Sequence, residues 1–70
     1  MKIDINKKYR YRMGDPVRIL AVDAEGASHG RKPQPVIAWD ANAGEATLHF
    51  EDGRFDSDSE NDALDLIEVR

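Results

Sequence analysis

The sequence predicts an all-β, mostly antiparallel fold, either a small SH3-like barrel or a curled sheet of five to six short strands. Apolar and polar residues alternate over short runs, and Gly, Pro, Asn or Asp interrupts the chain every few residues. No run has the apolar periodicity of a long helix, so we expect at most one short helical turn. The 70 residues are expected to form one small domain over residues 1–70, near the lower size limit for a self-sufficient core.

The first predicted element is a hairpin of residues 8–13 and 17–22, after a loose segment or short edge strand at residues 1–6. Val17, Ile19 and Ala21 form one apolar face, and the sequence Gly-Asp-Pro at 14–16 is typical of a turn. Residues 23–35 contain two Gly and two Pro with few apolar groups, which predicts a long loop.

The second half of the chain is predicted to contain strands at residues 35–39 and 45–50, separated by a turn at 40–44. The strand at 45–50 alternates between an apolar and a polar face: Ala46, Leu48 and Phe50 against Glu45, Thr47 and His49. Asp-Gly at 52–53 predicts a hairpin turn that pairs residues 47–50 with a short strand at 54–55. Residues 56–62 should be solvated, and residues 63–70 should form a short turn that leads into a strand.

Charge is distributed unevenly along the chain. Residues 1–35 carry eight Lys or Arg and four Asp or Glu, whereas residues 36–70 carry two and ten, which gives the net charge of −4. An acidic chain does not favour phosphate binding, although a local basic face is possible. Cysteine is absent, no apolar run is long enough to span a bilayer, and the first ten residues do not resemble a secretory signal. We therefore expect a cytoplasmic protein that does not contact a membrane.

The basic and aromatic stretch KKYRYR at residues 7–12 allows two interpretations. Exposed tyrosines could stack on bases while cations contact phosphates, which would make a single-stranded nucleic-acid site of the following residues: Lys8, Arg10, Arg12, Arg18, Tyr9 and Tyr11. Alternatively, both tyrosines face the core and the cations face water. The chain has only five aromatic residues, so the second interpretation is favoured.

A run of carboxylates follows the predicted Asp-Gly turn. It does not fit a calcium-binding EF-hand loop, because the sixth position counted from Asp56 is Asn61 and the twelfth is Ile67. The run could bind a basic partner surface through the following residues: Asp52, Asp56, Asp58, Glu60 and Asp62. A solvated loop is one alternative. Another is internal pairing with Lys8, Arg10 and Arg12, should the C-terminal segment fold beside the first strand.

Enzymatic, cofactor and metal sites lack a signature in this sequence. His29 and His49 are the only histidines, and their spacing matches no zinc motif. Ser28 precedes His29, but sequence neighbours do not define a catalytic triad. The glycine-bearing turns match neither of the common phosphate-binding loops. We therefore expect no catalytic residue, no cofactor and no metal.

Several strings resemble a group of short, uncharacterised proteins encoded in bacteriophage and prophage genomes. These proteins share a pattern like K-Y-x-T-R-x-G-x-P-V-R-I-L, a P-V-x-A strand, a D-G-R-[FY] turn and an acidic-apolar end. The matching positions extend over residues 7–69: Lys8, Tyr9, Arg12, Gly14, 16–20, Pro35, Val36, Ala38, 52–55 and 65–69. The chain departs from the pattern at Arg10 and Tyr11 and in the sequence ASHGRKPQ. The resemblance implies a genomic setting and transfers no functional residue.

These observations predict a non-enzymatic small β module that acts by protein–protein contact, as a phage or prophage accessory protein in a bacterial cytoplasm. Its partner would be another protein or a second copy of the chain, joined through an exposed strand edge. The alternative function is binding of single-stranded nucleic acid through residues 7–12.

Overall fold

The computed structural model describes residues 2–26, 28–29, 32–56 and 62–69, which contain strands and turns and no helix. The strands are β1 (Tyr9–Tyr11), β2 (Pro16–Ala21), β3 (Ser28–His29), β4 (Lys32–Pro33), β5 (Val36–Asp40), β6 (Glu45–His49) and β7 (Leu66–Glu68). Five of them form a sheet in the order β6-β5-β2-β1-β7, and β3 pairs with β4 alone. All pairings are antiparallel, and the five-stranded sheet curls into a half-barrel. The predicted all-β fold is confirmed.

The predicted first hairpin is confirmed as β1 and β2, with Tyr9 opposite Val17. Its turn is closed by two backbone hydrogen bonds, from Gly14 N to Tyr11 O (2.9 Å) and from Tyr11 N to Asp15 O (2.8 Å). Gly14 has a φ of 116°, a conformation that glycine adopts without a steric penalty from Cβ. The pattern is that of a three-residue hairpin loop with a bulge at the glycine.

Residues 23–35, predicted to be a long loop, include two short strands. Ser28 pairs with Pro33 and His29 with Lys32, so β3 and β4 form a small hairpin within this segment. A hydrogen bond from Ala24 N to Pro35 O, 2.9 Å long, joins the two ends of this segment. The strands have two residues each and no apolar alternation, so their sequence could not be distinguished from a loop.

The strands predicted at residues 35–39 and 45–50 are confirmed as β5 and β6, which pair from Val36–His49 to Asp40–Glu45. The predicted Asp-Gly turn is also present, with hydrogen bonds from Gly53 N to Phe50 O (2.8 Å) and from Phe50 N to Arg54 O (2.9 Å). The predicted strand at residues 54–55 is not formed. Its backbone turns toward the C-terminal segment instead, because Phe55 N donates to the Asp65 carboxylate (3.0 Å).

The C-terminal segment forms the turn and strand that the sequence predicts. Strand β7 lies beside β1, with Tyr9 opposite Glu68 and Tyr11 opposite Leu66. Leu66 N also donates to Gly53 O (3.0 Å), which joins β7 to the turn that follows β6. Since β6 and β7 are the two edges of the sheet, this contact brings the edges together at one end and accounts for the curl.

The core is small and depends on the first strand. Tyr9 and Tyr11 are among the largest fully buried side chains, as the favoured interpretation of KKYRYR predicted. They pack with a cluster of buried aliphatic residues: Ile3, Ile19, Val36, Ala38 and Leu66. Ile3 belongs to this cluster although it precedes the first strand, and its N–H donates to Glu51 O (3.0 Å). Trp39, by contrast, is 38% exposed.

Gly53 should be the most sensitive to substitution of the four glycines that the structure describes. A Cβ there would lie 2.9 Å from Ile3 Cδ1 and 3.2 Å from Leu66 Cβ, whereas a Cβ at Gly14 would meet nothing within 4 Å. We expect Gly14→Ala to cost about 1 kcal/mol of backbone strain and Gly53→Ala about 1–3 kcal/mol more, in urea unfolding. The control is stringent because both turns have the same hydrogen-bond pattern and Gly14 has the larger φ. Equal losses in the two variants would contradict close packing at Gly53.

Candidate functional site

A groove with a volume of about 590 Å³ lies beside the β1–β2 hairpin. Three of its lining residues are large and apolar yet exposed: Ile5 at 49%, Leu20 at 47% and Val69 at 44%. Three others are basic: Lys7, Lys8 and Arg18. The groove is therefore an apolar surface surrounded by cations, which we call the basic groove.

Strand alternation explains why these side chains are exposed. Ile19 is buried, so Arg18 before it points away from the core, and Leu20 is exposed where the register with β5 shifts between Ile19 and Ala21. In the same way, the buried Tyr9 leaves Lys8 outside. Val69 lies next to them because its N–H donates to Lys8 O (2.9 Å), just beyond the end of β7.

The N-terminal side of the basic groove is held by a turn that precedes β1. Asp4 N donates to the Tyr9 hydroxyl (2.9 Å), and Lys7 N donates to Asp4 O (3.0 Å). The Asp4 carboxylate also accepts a hydrogen bond from Asn6 N (2.8 Å). These bonds fix the segment that presents Ile5 to the groove.

No carboxylate lines the basic groove within the part of the chain that the structure describes. Lys7 Nζ lies 3.2 Å from Glu68 Oε1, and the hydrogen bond and charge of Glu68 raise the pKa of Lys7. Lys8 and Arg18 make no ion pair with any described residue. The groove therefore has a positive potential in a chain whose net charge is −4.

The six residues of the nucleic-acid hypothesis do not form one surface site in the structure. Tyr9 and Tyr11 are 2% and 1% exposed, so neither ring is available for base stacking. Arg10 Nη1 donates to Tyr11 O (3.1 Å) and Arg12 O (3.4 Å), while Arg12 Nη2 lies 4.0 Å from Asp65 Oδ2. Internal pairing of the basic strand with the C-terminal segment thus occurs at Arg12. Of the six residues, Lys8, Arg18 and the buried Tyr9 line the basic groove.

The acidic residues predicted to bind a partner are only partly described. Asp58 and Glu60 lie outside the described residues. The Asp52 carboxylate accepts a hydrogen bond from Arg54 N (3.0 Å), and the Asp62 carboxylate accepts one from Leu64 N (2.9 Å). These two side chains therefore stabilise turns, and Asp56 is half-buried. None of the three lines the basic groove.

Strand β6 turns its polar face inward, which its apolar alternation did not indicate. In the register with β5, Thr47 lies opposite the buried Ala38 and His49 opposite the buried Val36. Paired residues of antiparallel strands share a face, so Thr47 and His49 face the core. His49 is fully buried, whereas Ala46 on the other face is exposed.

The inward polar residues form a buried hydrogen-bond network of Tyr11, Thr47, His49 and the carbonyl of Gly53. His49 Nδ1 lies 3.2 Å from Gly53 O, which can only accept, so Nδ1 carries the proton. Nε2 then accepts from Thr47 Oγ1 (2.8 Å), which in turn accepts from the Tyr11 hydroxyl (2.7 Å). The His49 ring also contacts Phe55 edge-on, with the ring centroids 5.7 Å apart.

Burial keeps His49 neutral. Burial lowers the pKa of His49 from 6.5 to about 4, against smaller opposing effects of the Gly53 carbonyl and the charges of Asp65 and Asp62. Burial also raises the pKa of Tyr11, which therefore remains a phenol donor. His49 and Tyr11 are hydrogen-bonded and have almost no access to solvent, so this hydrogen-bond network suits a structural role better than proton transfer.

Metal and membrane sites are not found in the described part of the chain. Residues 2–26, 28–29, 32–56 and 62–69 hold no group of three or more His, Cys, Asp or Glu that could bind a metal ion. Over the same residues, no helix has the length and apolarity needed to cross a membrane.

Comparison with known proteins adds no family. Neither a protein-family model, nor a curated protein, nor a solved structure matches the chain significantly. Its candidate site therefore has to be judged on its own geometry.

Sequence reasoning identified Lys8 and Arg18 but missed the apolar half of the basic groove. The available signal was Leu20, an aliphatic residue at an outward position of the first hairpin, since Ile19 occupies the inward position. Ile5 and Val69 gave no signal, because they lie outside the strands and meet the hairpin only in the folded chain.

The buried hydrogen-bond network predicts which substitutions lower the unfolding free energy most. Thr47→Val removes the hydroxyl that serves both the Tyr11 hydroxyl and His49 Nε2, so it should cost about 2–3 kcal/mol of unfolding free energy. Tyr11→Phe removes only the hydroxyl donor at one end of the network and should cost about 1 kcal/mol. Thr47→Ser keeps the hydroxyl and is the matched control. Urea unfolding at neutral pH measures all three, and a larger loss for Tyr11→Phe than for Thr47→Val would contradict the assigned bond directions.

The low pKa of His49 predicts a loss of stability in mild acid. Between pH 6.5 and about 4 the unfolded chain binds a proton at His49 that the folded chain does not, so stability falls as the pH falls. The loss should approach about 3 kcal/mol, at about 1.4 kcal/mol for each tenfold difference in proton affinity. An NMR titration of the His49 ring in the folded protein measures the pKa directly, and His49→Gln should flatten the stability profile in this range. A ring that titrates near pH 6.5 would contradict the prediction.

Proposed function

We propose that the protein is a non-enzymatic β module that acts by protein–protein contact, with the basic groove as its contact site. The observation that carries this proposal is the clustering of exposed apolar residues. Among the described residues, five large hydrophobic side chains are exposed, and three of them line this one groove: Ile5, Leu20 and Val69. Grouped exposed aliphatic side chains beside charged ones are typical of a surface that a partner covers.

The rest of the site supports contact rather than catalysis. The His49 imidazole and the Tyr11 phenol belong to the buried hydrogen-bond network, and the groove presents aliphatic and cationic side chains. The backbone that carries the cations is ordered by hydrogen bonds: Arg18 lies on β2, Lys8 directly precedes β1, and Lys7 belongs to the turn at residues 4–7. The resemblance to phage and prophage proteins would make such a module an accessory protein in a bacterial cytoplasm.

A single-stranded nucleic acid is the less favoured occupant. Such sites combine many cations with exposed aromatic rings, whereas Tyr9 and Tyr11 are buried and the described residues that line the groove include three cations. The aliphatic groups Ile5, Leu20 and Val69 have no role in phosphate or base recognition. They fit the apolar side chains of a protein.

The test compares two variants that each introduce one carboxylate at an exposed apolar position. Leu20→Glu lies in the basic groove, and Met13→Glu, at a residue 54% exposed, lies outside it and is the control. Proteins retained from a bacterial lysate by the wild-type chain should be lost with Leu20→Glu and kept with Met13→Glu. The proposal then requires the purified partner to bind the wild-type chain at least about tenfold more tightly than Leu20→Glu in calorimetry, as for an anchor residue at the centre of an interface.

Two results would overturn the proposal. One is a set of retained proteins that is the same for the wild-type chain and for Leu20→Glu. The other is binding of a single-stranded oligonucleotide in fluorescence polarisation at about 50 mM salt that is lost when Lys8 and Arg18 are replaced, since phosphate contacts are strongest at low salt.

A further inference from the structure

We infer that the basic groove binds an acidic, aliphatic peptide segment of a partner protein. This inference rests on the proposed function and assigns the chemistry of the partner. Carboxylates of the segment would contact Lys8 and Arg18, and its aliphatic side chains would cover Leu20, Ile5 and Val69.

The first argument is the segregation of charge. The chain has 14 Asp or Glu and 10 Lys or Arg, yet the described residues that line the groove include three cations and no carboxylate. Lys7 already pairs with Glu68, whereas Lys8 and Arg18 make no ion pair with any described residue. Two cations beside an apolar surface favour an anionic partner, because the surrounding apolar groups exclude water and strengthen the attraction.

The second argument concerns the size and continuity of the surface. A volume of about 590 Å³ is that of a site for a few side chains rather than for a folded domain. The surface continues across the sheet, because Arg18 lies opposite the exposed Trp39 in the β2–β5 register. The guanidinium of Arg18 can pair with a carboxylate, and the exposed indole of Trp39 on the neighbouring strand offers a ring on which an aliphatic side chain can pack. An extended segment can use both parts.

Arg18 is the expected specificity residue. Its guanidinium can bind a carboxylate with two parallel hydrogen bonds, a geometry that the ammonium of Lys8 cannot provide. We therefore expect the acidic residue of the segment nearest Arg18 to contribute more to affinity than its other carboxylates.

A peptide library provides the experiment. Random 12-residue peptides displayed on phage are selected on the wild-type chain and depleted on Leu20→Glu. The selected peptides should be enriched in Asp or Glu next to Leu, Ile, Val or Phe. A synthetic peptide from the selection should shift the amide signals of Ile5, Leu20 and Val69 in NMR spectra, which locates the site.

Charge variants then test the assigned contacts. Lys8→Glu with Arg18→Glu should weaken binding of that peptide by a factor of about 30 or more, and replacing its acidic residues by amides should have a comparable effect. Lys2→Glu with Lys32→Glu makes the same change in net charge outside the groove and should alter affinity less than about threefold. A peptide with Lys in place of its acidic residues should bind the Lys8→Glu, Arg18→Glu protein better than the wild type.

The possible failures are distinguishable. Selected peptides that are neutral or basic but still shift the groove signals would overturn this inference and leave the proposed function standing. Absence of any peptide or protein whose binding depends on Leu20 would overturn both. A wild-type dimer in light scattering that dissociates in the Lys8→Glu, Arg18→Glu variant would overturn the inference in favour of a second copy, whose residues 36–70 carry a net charge of −8.

Discussion

The buried hydrogen bonds from Tyr11 through Thr47 and His49 to Gly53 are the constraint on which this fold depends. Tyr11 lies on β1 and the two other side chains on β6, and β5 and β2 separate these strands in the sheet. The side chains can meet only across the concave face, so their bonds hold the sheet in its curled form. No buried side-chain polar atom among the described residues lacks a partner, which is required when desolvated polar groups occupy so small an interior.

The interior combines polar rings with aliphatic side chains. Tyr9, Tyr11 and His49 are fully buried beside five aliphatic residues: Ile3, Ile19, Val36, Ala38 and Leu66. Other aliphatic residues take outward positions, such as Leu20 on β2 and Ala46 on β6. Leu20 and two residues outside the strands, Ile5 and Val69, form the exposed apolar surface of the basic groove.

The sequence predicts the strands well because turn residues and short-range alternation are local signals. Gly14 and Gly53 mark two turns with the same bonding pattern, and the shortage of aromatic residues correctly places Tyr9 and Tyr11 inside. The sequence-based prediction fails where pairing across the sheet decides which face a side chain takes. His49 can face inward because Thr47 and the Gly53 carbonyl satisfy its two ring nitrogens, and Thr47 in turn bonds to Tyr11, which lies 36 residues away along the sequence. The basic groove is equally nonlocal, since Ile5 and Val69 come from opposite ends of the sequence.

Strand β1 couples the interior to the basic groove. Its inward residue Tyr9 packs in the core, and the Tyr9 hydroxyl accepts the hydrogen bond from Asp4 N that fixes the turn carrying Ile5 and Lys7. Its neighbour Lys8 faces the groove, and Lys8 O accepts the bond that positions Val69. Any change that loosens the curl of the sheet would therefore also displace the apolar side of the groove. The geometry of this surface is a property of the whole fold, although the residues that form it are exposed.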